Sequence, residues 1–210
     1  MALYPANLRI SGRRCVIIGG GRVAARKAAA LLECGALVKV VSPALDGEFE
    51  TMDGNIEHVD RPYARGDLDG AFLVIAATDD DETNRAVEEE ARSGNLMLNV
   101  VDKPEQCNFY VPSSIRRGEL MITISTGGQL PALAKRLREQ LEEEFPREWE
   151  PALELLGKAR ADVISRVKDE ERKKQCLTDL AALDLVPLLQ AGGPQAAQVE
   201  IDKCISRYLA

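Results

Sequence analysis

Three consecutive glycines stand between a short apolar run and an alanine-rich stretch, so that residues 19–24 read GGGRVA. This order matches the G-x-G-x-x-A turn that joins a strand to a helix and holds a dinucleotide. Gly19 would permit the tight turn, Gly21 would let the backbone approach a pyrophosphate, and Ala24 would let the helix pack closely on the strand. The pyrophosphate would rest on the free N–H groups at the helix N-terminus. The alternative is a tight turn without a ligand. The predicted cofactor contacts of this turn are Gly19, Gly20, Gly21, Arg22 and Val23.

The end of the second predicted strand lacks the acidic residue that usually binds the ribose in such folds. Ser42 and Pro43 stand there instead, and a serine hydroxyl can still hydrogen-bond a ribose hydroxyl. Ser42 carries no charge to repel a 2′-phosphate, and no arginine follows it to attract one, although Arg22 could lie nearby. The sequence therefore favours NAD, with weaker exclusion of NADP than an acidic residue would give.

Further candidate residues lie at or just after the ends of the fourth and fifth predicted strands, whose carboxyl ends face the ligand crevice of a doubly wound sheet. They are Thr78, Asn84, Asn99, Val100 and Asp102. We expect the first four near the cofactor. Asp102 is the candidate catalytic residue, because a carboxylate beside a nicotinamide can take or give a proton. Two alternatives stay open: Thr78 as only a helix N-cap, and Asp102 as a loop residue that caps its own turn.

A second polar group lies after residue 112. Hydroxyls and glycines precede a helix that has Pro131 in its first turn, and such a helix N-terminus favours an anion. The region is also unusually basic for an acidic chain, which suits a substrate with several carboxylates. The alternative is a solvated helix face balanced by the glutamates at 142–144. The predicted substrate contacts are Ser125, Thr126, Gly127, Arg116, Arg117, Lys135 and Arg138.

The elements that must position these residues alternate between short β-branched runs and helical patterns. The predicted strands are residues 14–19, 37–42, 55–60, 71–78, 95–102 and 108–112. Helices are predicted at 23–35 and after Asp79. This alternation predicts an α/β fold with a Rossmann-like, doubly wound parallel sheet. The apolar character of strands one, four and five predicts burial on both faces.

The pattern changes beyond residue 112. Residues 118–128 predict an amphipathic strand, a helix follows it, and the chain reads as helical from about Pro146 with a break at 192–194. The sequence thus predicts an NAD-binding domain (1–112), a strand–helix linking unit (113–145) and a C-terminal helical tail (146–210).

The composition narrows the function classes. The chain has 210 residues and a formal charge of −7. A protein with a net negative charge is not expected to bind nucleic acid or an anionic membrane, because both are negatively charged. It lacks a run long enough for a membrane span and the order of a signal peptide, so we expect a cytoplasmic protein. The five cysteines form no Cys-x-x-Cys pair, and the single histidine, His58, fits a surface strand. No preformed metal site is therefore predicted, and Cys107 is a weak candidate for a site role.

Three stretches in this order resemble the precorrin-2 dehydrogenase family: VIIGGGRVAARKAAALLECGA, AATDDDETN and NVVDKPEQCNFYVPSSIRRGELMITISTGGQLPALAKRLREQLE. The family comprises stand-alone siroheme-pathway enzymes and the N-terminal half of siroheme synthase. The third stretch is the specific one, and the likeness covers about residues 3–145.

The resemblance implies NAD-dependent oxidation of precorrin-2 to sirohydrochlorin, with the family's important aspartate at Asp102. It implies a homodimer that packs through residues 113–145, and a tetrapyrrole held between the NAD domain and the helical part. Some members also insert ferrous iron into sirohydrochlorin, for which the counterpart here would be a transient iron site near Asp102.

Two other functions compete with this interpretation. A non-enzymatic NAD(H)-binding redox sensor accounts for the glycine turn, but not for the NVVD and STGG stretches. An ordinary small-substrate dehydrogenase usually carries a Lys, His or Tyr proton donor in its site, whereas His58 lies on the third predicted strand.

Overall fold

The computed structural model describes residues 3–54 and 56–209. The chain divides into two compact units, one ending at Val111 and one beginning at Pro112. The finer division into three parts, with a separate linking unit at 113–145, stays a prediction.

The first unit is a parallel five-stranded sheet with the strand order β3-β2-β1-β4-β5. Its strands are β1 (Arg14–Ile18), β2 (Leu37–Val41), β3 (Ile56–Val59), β4 (Leu73–Ala76) and β5 (Met97–Val100). Its helices are α1 (Arg22–Glu33), α2 (Asp81–Ser93) and two 3₁₀ helices, Gly47–Thr51 and Pro104–Gln106. The order reverses between β1 and β4, where doubly wound folds form their ligand crevice. The predicted α/β fold is confirmed.

Two apolar layers sandwich the sheet. Cys15 and Ile17 pack with the alanine face of α1, while Val16 and Ile18 pack on the opposite side with Val87 of α2. β4 is buried along its whole length, as predicted for a strand covered on both faces. In β5 only alternate residues are fully buried, so the prediction of burial on both faces is wrong for this strand, which lies at the end of the sheet.

The predicted sixth strand at 108–112 is wrong, because Asn108 closes the edge of β5 instead. The Asn108 N–H donates to the carbonyl of Leu98 at 3.0 Å, and the Leu98 N–H donates to Asn108 Oδ1 at 2.7 Å. Asn108 Nδ2 donates to the carbonyl of Leu96 at 2.8 Å. One side chain therefore pairs edge groups that a further strand would have paired.

The third strand is shorter than predicted. β3 begins at Ile56, and Asn55, the first residue of the prediction, lies outside the described residues. His58 is exposed on this end strand, with its Nε2 2.9 Å from the carbonyl oxygen of Ser42.

The loop before β4 is held by one buried carboxylate, Asp67, whose side chain is 4% exposed. Both oxygens of Asp67 accept from the Arg61 guanidinium at 2.7 Å, Lys39 Nζ lies 3.4 Å away, and the Ala64 N–H donates at 2.8 Å. The hydrogen bonds from Arg61 are the main reason that the pKa of Asp67 falls to about 2.

The second unit contains an antiparallel strand pair and helices. β6 (Ser113–Arg117) pairs with β7 (Leu120–Ile124), followed by α3 (Pro131–Glu144), α4 (Trp149–Arg166), α5 (Glu170–Ala181) and α6 (Leu185–Leu209). The predicted strand at 118–128 thus corresponds to β7, while its partner β6 was not predicted. The predicted helical break is present as a kink at Gly193, where φ is +67°. Within the described residues, none of the helices is long and apolar enough to cross a membrane.

We predict that Asp67→Asn lowers the free energy of unfolding by about 2–3 kcal/mol at pH 7, because it leaves the largely buried Lys39 ammonium and the half-exposed Arg61 guanidinium without their counter-charge. The pKa of Asp67 is depressed in the folded state, so its stabilisation is complete above about pH 4 and is lost as the pH falls towards 2. Urea unfolding at several pH values measures this difference. Asp69→Asn, an exposed change in the same loop, is the control, and a difference between D67N and wild type that is independent of pH would contradict the assignment.

Candidate functional site

The strand register brings the candidate residues to one edge of the sheet. Ile18 pairs with Val41 on one side and with Ala76 on the other, and Ala76 pairs with Val100. The residues that follow these four strand ends therefore share the carboxyl edge, where ligands bind in doubly wound sheets.

The first glycine of the turn lies against the end of β4. Gly19 has φ +111°, and a Cβ there would lie 2.2 Å from the carbonyl oxygen of Ala77. The Gly19 N–H donates to the carbonyl of Val41 at 2.9 Å. The predicted tight turn at Gly19 is thus a backbone contact among three strand ends.

The second glycine is enclosed by the segment that follows β2. A Cβ on Gly20 would lie 1.9 Å from the carbonyl oxygen of Ala44 and 2.7 Å from the hydroxyl of Ser42. The Asp46 N–H donates to the carbonyl of Gly20 at 2.7 Å. Only glycine leaves room for residues 42–46 to close on the turn, a constraint that the sequence pattern does not reveal.

The third glycine faces open space at the start of α1. A Cβ on Gly21 would meet nothing within 4 Å, and Arg22 and Val23 begin the helix beside it. The N-terminus of α1 has no side-chain cap and no acidic residue in its first turn. By contrast, α2 is capped by Asp80 and carries Asp81 and Glu82 in its first turn. The bare end of α1 therefore fits the pyrophosphate of a dinucleotide.

The predicted ribose contact is engaged within the protein. Ser42 is 7% exposed, and its hydroxyl donates to the carbonyl of Ala44 at 2.8 Å. Pro43 is exposed at the same turn. The nearby acidic residues that the sequence pattern missed are Asp46 and Glu48, at the start of the 3₁₀ helix Gly47–Thr51. An Asp-Gly-Glu sequence a few residues after a strand was the signal that could have located them.

Thr78 does not cap α2. Its hydroxyl accepts from the Asp80 N–H at 3.2 Å, and Asp80 is the N-cap. Asn84 is 1% exposed and donates from Nδ2 to the carbonyl of Thr78 at 3.0 Å. The alternative in which Thr78 is only an N-cap is therefore wrong, and its predicted place at the crevice edge stays a prediction.

The end of β5 is tied to the loop that follows it. Asn99 Nδ2 donates to the carbonyl of Phe109 at 3.1 Å, and the Val100 N–H donates to Cys107 Sγ at 3.2 Å. Cys107 Sγ also lies 3.3 Å from the carbonyl of Lys103. Burial is the main cause that raises the pKa of the Cys107 thiol, and the thiol joins the end of β5 to the loop that follows it.

Asp102 stands exposed at the carboxyl edge in a left-handed conformation, with φ +60°. Its neighbours are anchored on both sides: the Val101 N–H donates to the carbonyl of Ala76 at 2.9 Å, and Lys103 Nζ forms an ion pair with Asp81. A non-glycine residue keeps such a conformation when its surroundings hold it there.

A basic residue of α1 lies within electrostatic reach of Asp102. The pKa of Lys27 is lowered, mainly by burial and next by the charge of Arg26, while the Asp102 carboxylate opposes that shift. The charge of Asp102 therefore acts on a residue of α1, the helix that follows the glycine turn.

The hydroxyls of the second unit order the turn before α3. Ser125 Oγ accepts from the Gly127 N–H at 3.2 Å, and Thr126 Oγ1 accepts from the Leu130 N–H at 3.3 Å. The N-terminus of α3 has no side-chain cap, and Pro131 is in its first turn. The turn thus has the uncapped helix N-terminus that an anion site needs.

The predicted basic group of this unit is divided between two roles. Arg117 donates from Nε to the carbonyl of Phe145 at 2.8 Å, which places its guanidinium at the C-terminal end of α3. Lys135 is paired with Glu139 at 3.8 Å, and Arg138 is paired with Glu142 on the same helix.

Arg116 is exposed on β6, with its NH2 3.7 Å from the sulfur of Met121. Arg117 thus has partners within the unit. Substrate binding by Arg116, Arg117, Lys135 and Arg138 stays a prediction, and so does the alternative of a solvated helix face balanced by glutamates. Among residues 3–54 and 56–209, no group of three or more His, Cys, Asp or Glu side chains could hold a metal ion.

This geometry defines a Rossmann-type dinucleotide-binding protein, and comparisons with known families agree. Residues 6–113 match the family described as putative NAD(P)-binding, and residues 117–144 match the family described as sirohaem biosynthesis protein, central. The first match covers about half of the 210 residues. The chain belongs to this NAD(P)-binding family.

Two of the curated relatives are siroheme synthases. The siroheme synthase of Thioalkalivibrio sulfidiphilus is 36% identical over 100% of this chain and 43% of its own length. That of Methylobacillus flagellatus is 35% identical over 98% of this chain and 44% of its own. The chain thus spans less than half the length of these curated relatives.

A solved structure covers the chain more fully. The structure described as SirC, precorrin-2 dehydrogenase, matches with a TM-score of 0.77 and 26% identity over 96% of this chain and 100% of that one. The resemblance that the three sequence stretches indicated is confirmed.

We predict different outcomes for alanine at two adjacent glycines. Gly21→Ala should leave the free energy of unfolding within about 0.5 kcal/mol of wild type, because its φ of −76° suits alanine and the added Cβ meets nothing. It should weaken NADH binding by roughly tenfold, because the Cβ obstructs the approach of the pyrophosphate.

Gly20→Ala is the matched comparison and should destabilise the fold by roughly 3 kcal/mol, because its Cβ overlaps a backbone carbonyl. Urea unfolding and calorimetric NADH titration measure both effects. Unchanged NADH affinity in G21A would show that the cofactor does not lie against this turn.

Proposed function

We propose that this chain catalyses the NAD-dependent oxidation of precorrin-2 to sirohydrochlorin. The observation that carries the proposal is that an uncapped glycine turn and the exposed Asp102 share one edge of a sheet. The likeness to SirC, precorrin-2 dehydrogenase, over nearly the whole chain supports this reaction rather than that of another NAD-binding protein. No comparison favours a redox sensor.

The glycine turn provides the cofactor site. Gly21, Arg22 and Val23 present backbone N–H groups at the bare end of α1 to the pyrophosphate. The packing of Gly19 and Gly20 against neighbouring strand ends holds that turn rigid. Bound NAD supplies the hydride acceptor.

Asp102 provides the proton acceptor. Oxidation of the reduced macrocycle removes one hydride, which leaves with the cofactor, and one proton, which Asp102 takes. Its left-handed conformation and the Lys103–Asp81 ion pair beside it hold the backbone that carries the carboxylate, and a positioned base contributes through its geometry.

The substrate's carboxylates account for the basic residues of the second unit. Lys135, Arg138 and Arg116 carry partners that a carboxylate substrate can replace. Ser125, Thr126 and Gly127 shape the uncapped turn before α3. If these basic residues bind the carboxylates, substrate binding should weaken as the salt concentration rises.

The proposal includes a homodimer, as the family resemblance implies, and the cytoplasm as its place of action, as the sequence composition leads us to expect. The pair β6–β7 supports dimerisation, because within the described residues each strand has only the other as a partner, and open strand edges invite pairing. Light scattering during size-exclusion chromatography should report twice the chain mass at micromolar concentration. A single-chain mass under these conditions would contradict the dimer.

Iron insertion into sirohydrochlorin is a separate activity that the resemblance leaves open. The test is loss of sirohydrochlorin absorbance in the presence of ferrous iron and purified protein. A rate no higher than without protein would limit the chain to the oxidation.

We predict that Asp102→Asn lowers kcat for NADH formation from precorrin-2 by about 10²- to 10⁴-fold. Asparagine tolerates the left-handed conformation, so this variant removes the charge and keeps the backbone. NADH affinity should stay unchanged, because the dinucleotide turn is untouched.

Glu105→Gln is the matched control, since it removes an equal charge from the same exposed loop. Stopped-flow or steady-state NADH absorbance gives the rates. Full turnover in D102N, or an equal loss in E105Q, would overturn the role of Asp102 as the base.

A further inference from the structure

The end of β2 lacks the acidic residue that is usual there, but the tertiary structure brings an acidic side chain from the following segment to the start of α1. In dinucleotide folds, an acid at this edge binds the ribose hydroxyl of NAD, whereas an arginine there accommodates the 2′-phosphate of NADP. Here Ser42 is buried and its hydroxyl is bonded to Ala44, so Ser42 contributes neither charge nor a free donor. The first charged residues beyond it are Asp46, the N-cap of the 3₁₀ helix Gly47–Thr51, and Glu48 within that helix.

This 3₁₀ helix is docked on the glycine turn. The Asp46 N–H donates to the carbonyl of Gly20 at 2.7 Å, and the Asp46 carboxylate caps the 3₁₀ helix by accepting from the Glu48 N–H at 3.0 Å. The carboxylate of Asp46 is thus engaged by its own 3₁₀ helix, and its hydrogen bond from the Glu48 N–H holds the backbone of Glu48 beside it.

Glu48 reaches the first residue of α1. Its Oε1 accepts from Arg22 Nε at 3.2 Å. Arg22 follows Gly21 directly and is the basic side chain nearest in sequence to the bare helix end. The pair joins the β1–α1 turn to the segment after β2, the two elements that flank the adenosine ribose in this fold.

We propose that the Arg22–Glu48 pair sets the preference for NAD over NADP, which rests on the proposed cofactor site. Glu48 replaces the missing acid at the end of β2 in two ways. It occupies the guanidinium that would otherwise bind a 2′-phosphate, and its own charge repels that phosphate.

The exposure of the pair makes the proposal testable. The side chains of Arg22 and Glu48 are 79% and 44% exposed, and exposed ion pairs contribute little to folding. Removing the charge of Glu48 should therefore leave the fold intact and change only which nucleotide binds.

The experiment measures dissociation constants for NADH and NADPH by calorimetry, without any tetrapyrrole. In Glu48→Gln the NADPH-to-NADH ratio of dissociation constants should fall roughly tenfold at low salt, because one repulsive charge is removed and one guanidinium is released. The change should shrink in high salt, since both partners are exposed.

Two further variants make the result specific. Glu57→Gln removes an equal charge from the Arg14–Glu57 pair, which is similarly exposed but includes the first residue of β1, at the opposite end of that strand. This variant should leave the ratio unchanged. Adding Arg22→Gln to E48Q should reduce the gain for NADPH, because the guanidinium that E48Q releases is then absent.

The results distinguish a failure of the Arg22–Glu48 pair from a failure of the cofactor site. An unchanged ratio in E48Q, an equal change in E57Q, or an undiminished gain in the double variant would overturn the role of the pair while leaving the cofactor site intact. Failure of the wild-type protein to bind either nucleotide would instead overturn the cofactor site itself.

Discussion

The β1–α1 turn passes between two carbonyl groups with no room for a side chain. A Cβ at Gly19 would overlap the carbonyl of Ala77, and a Cβ at Gly20 would overlap that of Ala44. Side chains can change rotamer to relieve a clash, but backbone groups within a packed sheet edge cannot move far. The ends of β1, β2 and β4 are therefore locked together, and α1 starts from a fixed point. The rest of the dinucleotide site is placed relative to this contact.

The two helices that start at this edge differ in their electrostatics. Asp80 caps α2, and two further acids stand in its first turn, so its N–H groups and dipole already have anionic partners. α1 has neither a cap nor an acid. In a chain with a net charge of −7, this distribution leaves one helix end open to an anion. The Arg22–Glu48 pair lies beside it and adds selectivity to an otherwise general phosphate site.

The backbone around Asp102, the proposed base, is held by hydrogen bonds and an ion pair rather than by burial. Asp102 is exposed, yet the residues around it are bonded to β4, to α2 and to the Cys107 thiol. A left-handed aspartate costs conformational energy, and such strain persists where the surroundings over-determine the backbone. In the second unit the same kind of anchoring uses Arg117, whose guanidinium binds carbonyls at the end of α3. Basic residues that are close in sequence can therefore have different partners in the folded chain.

Local signals in the sequence determined the α/β fold, the glycine turn and the place of Asp102 at a strand end. Apolar periodicity and turn residues reflect neighbours along the chain, and parallel register then aligns the strand ends. Only the tertiary structure decided which partner each polar side chain takes. Ser42 bonds within its own turn, Arg22 meets Glu48 across 26 residues, and Arg117 binds a carbonyl 28 residues away. These pairings depend on the distances between elements that are far apart in the chain. The periodicity of a single element carries no information about those distances.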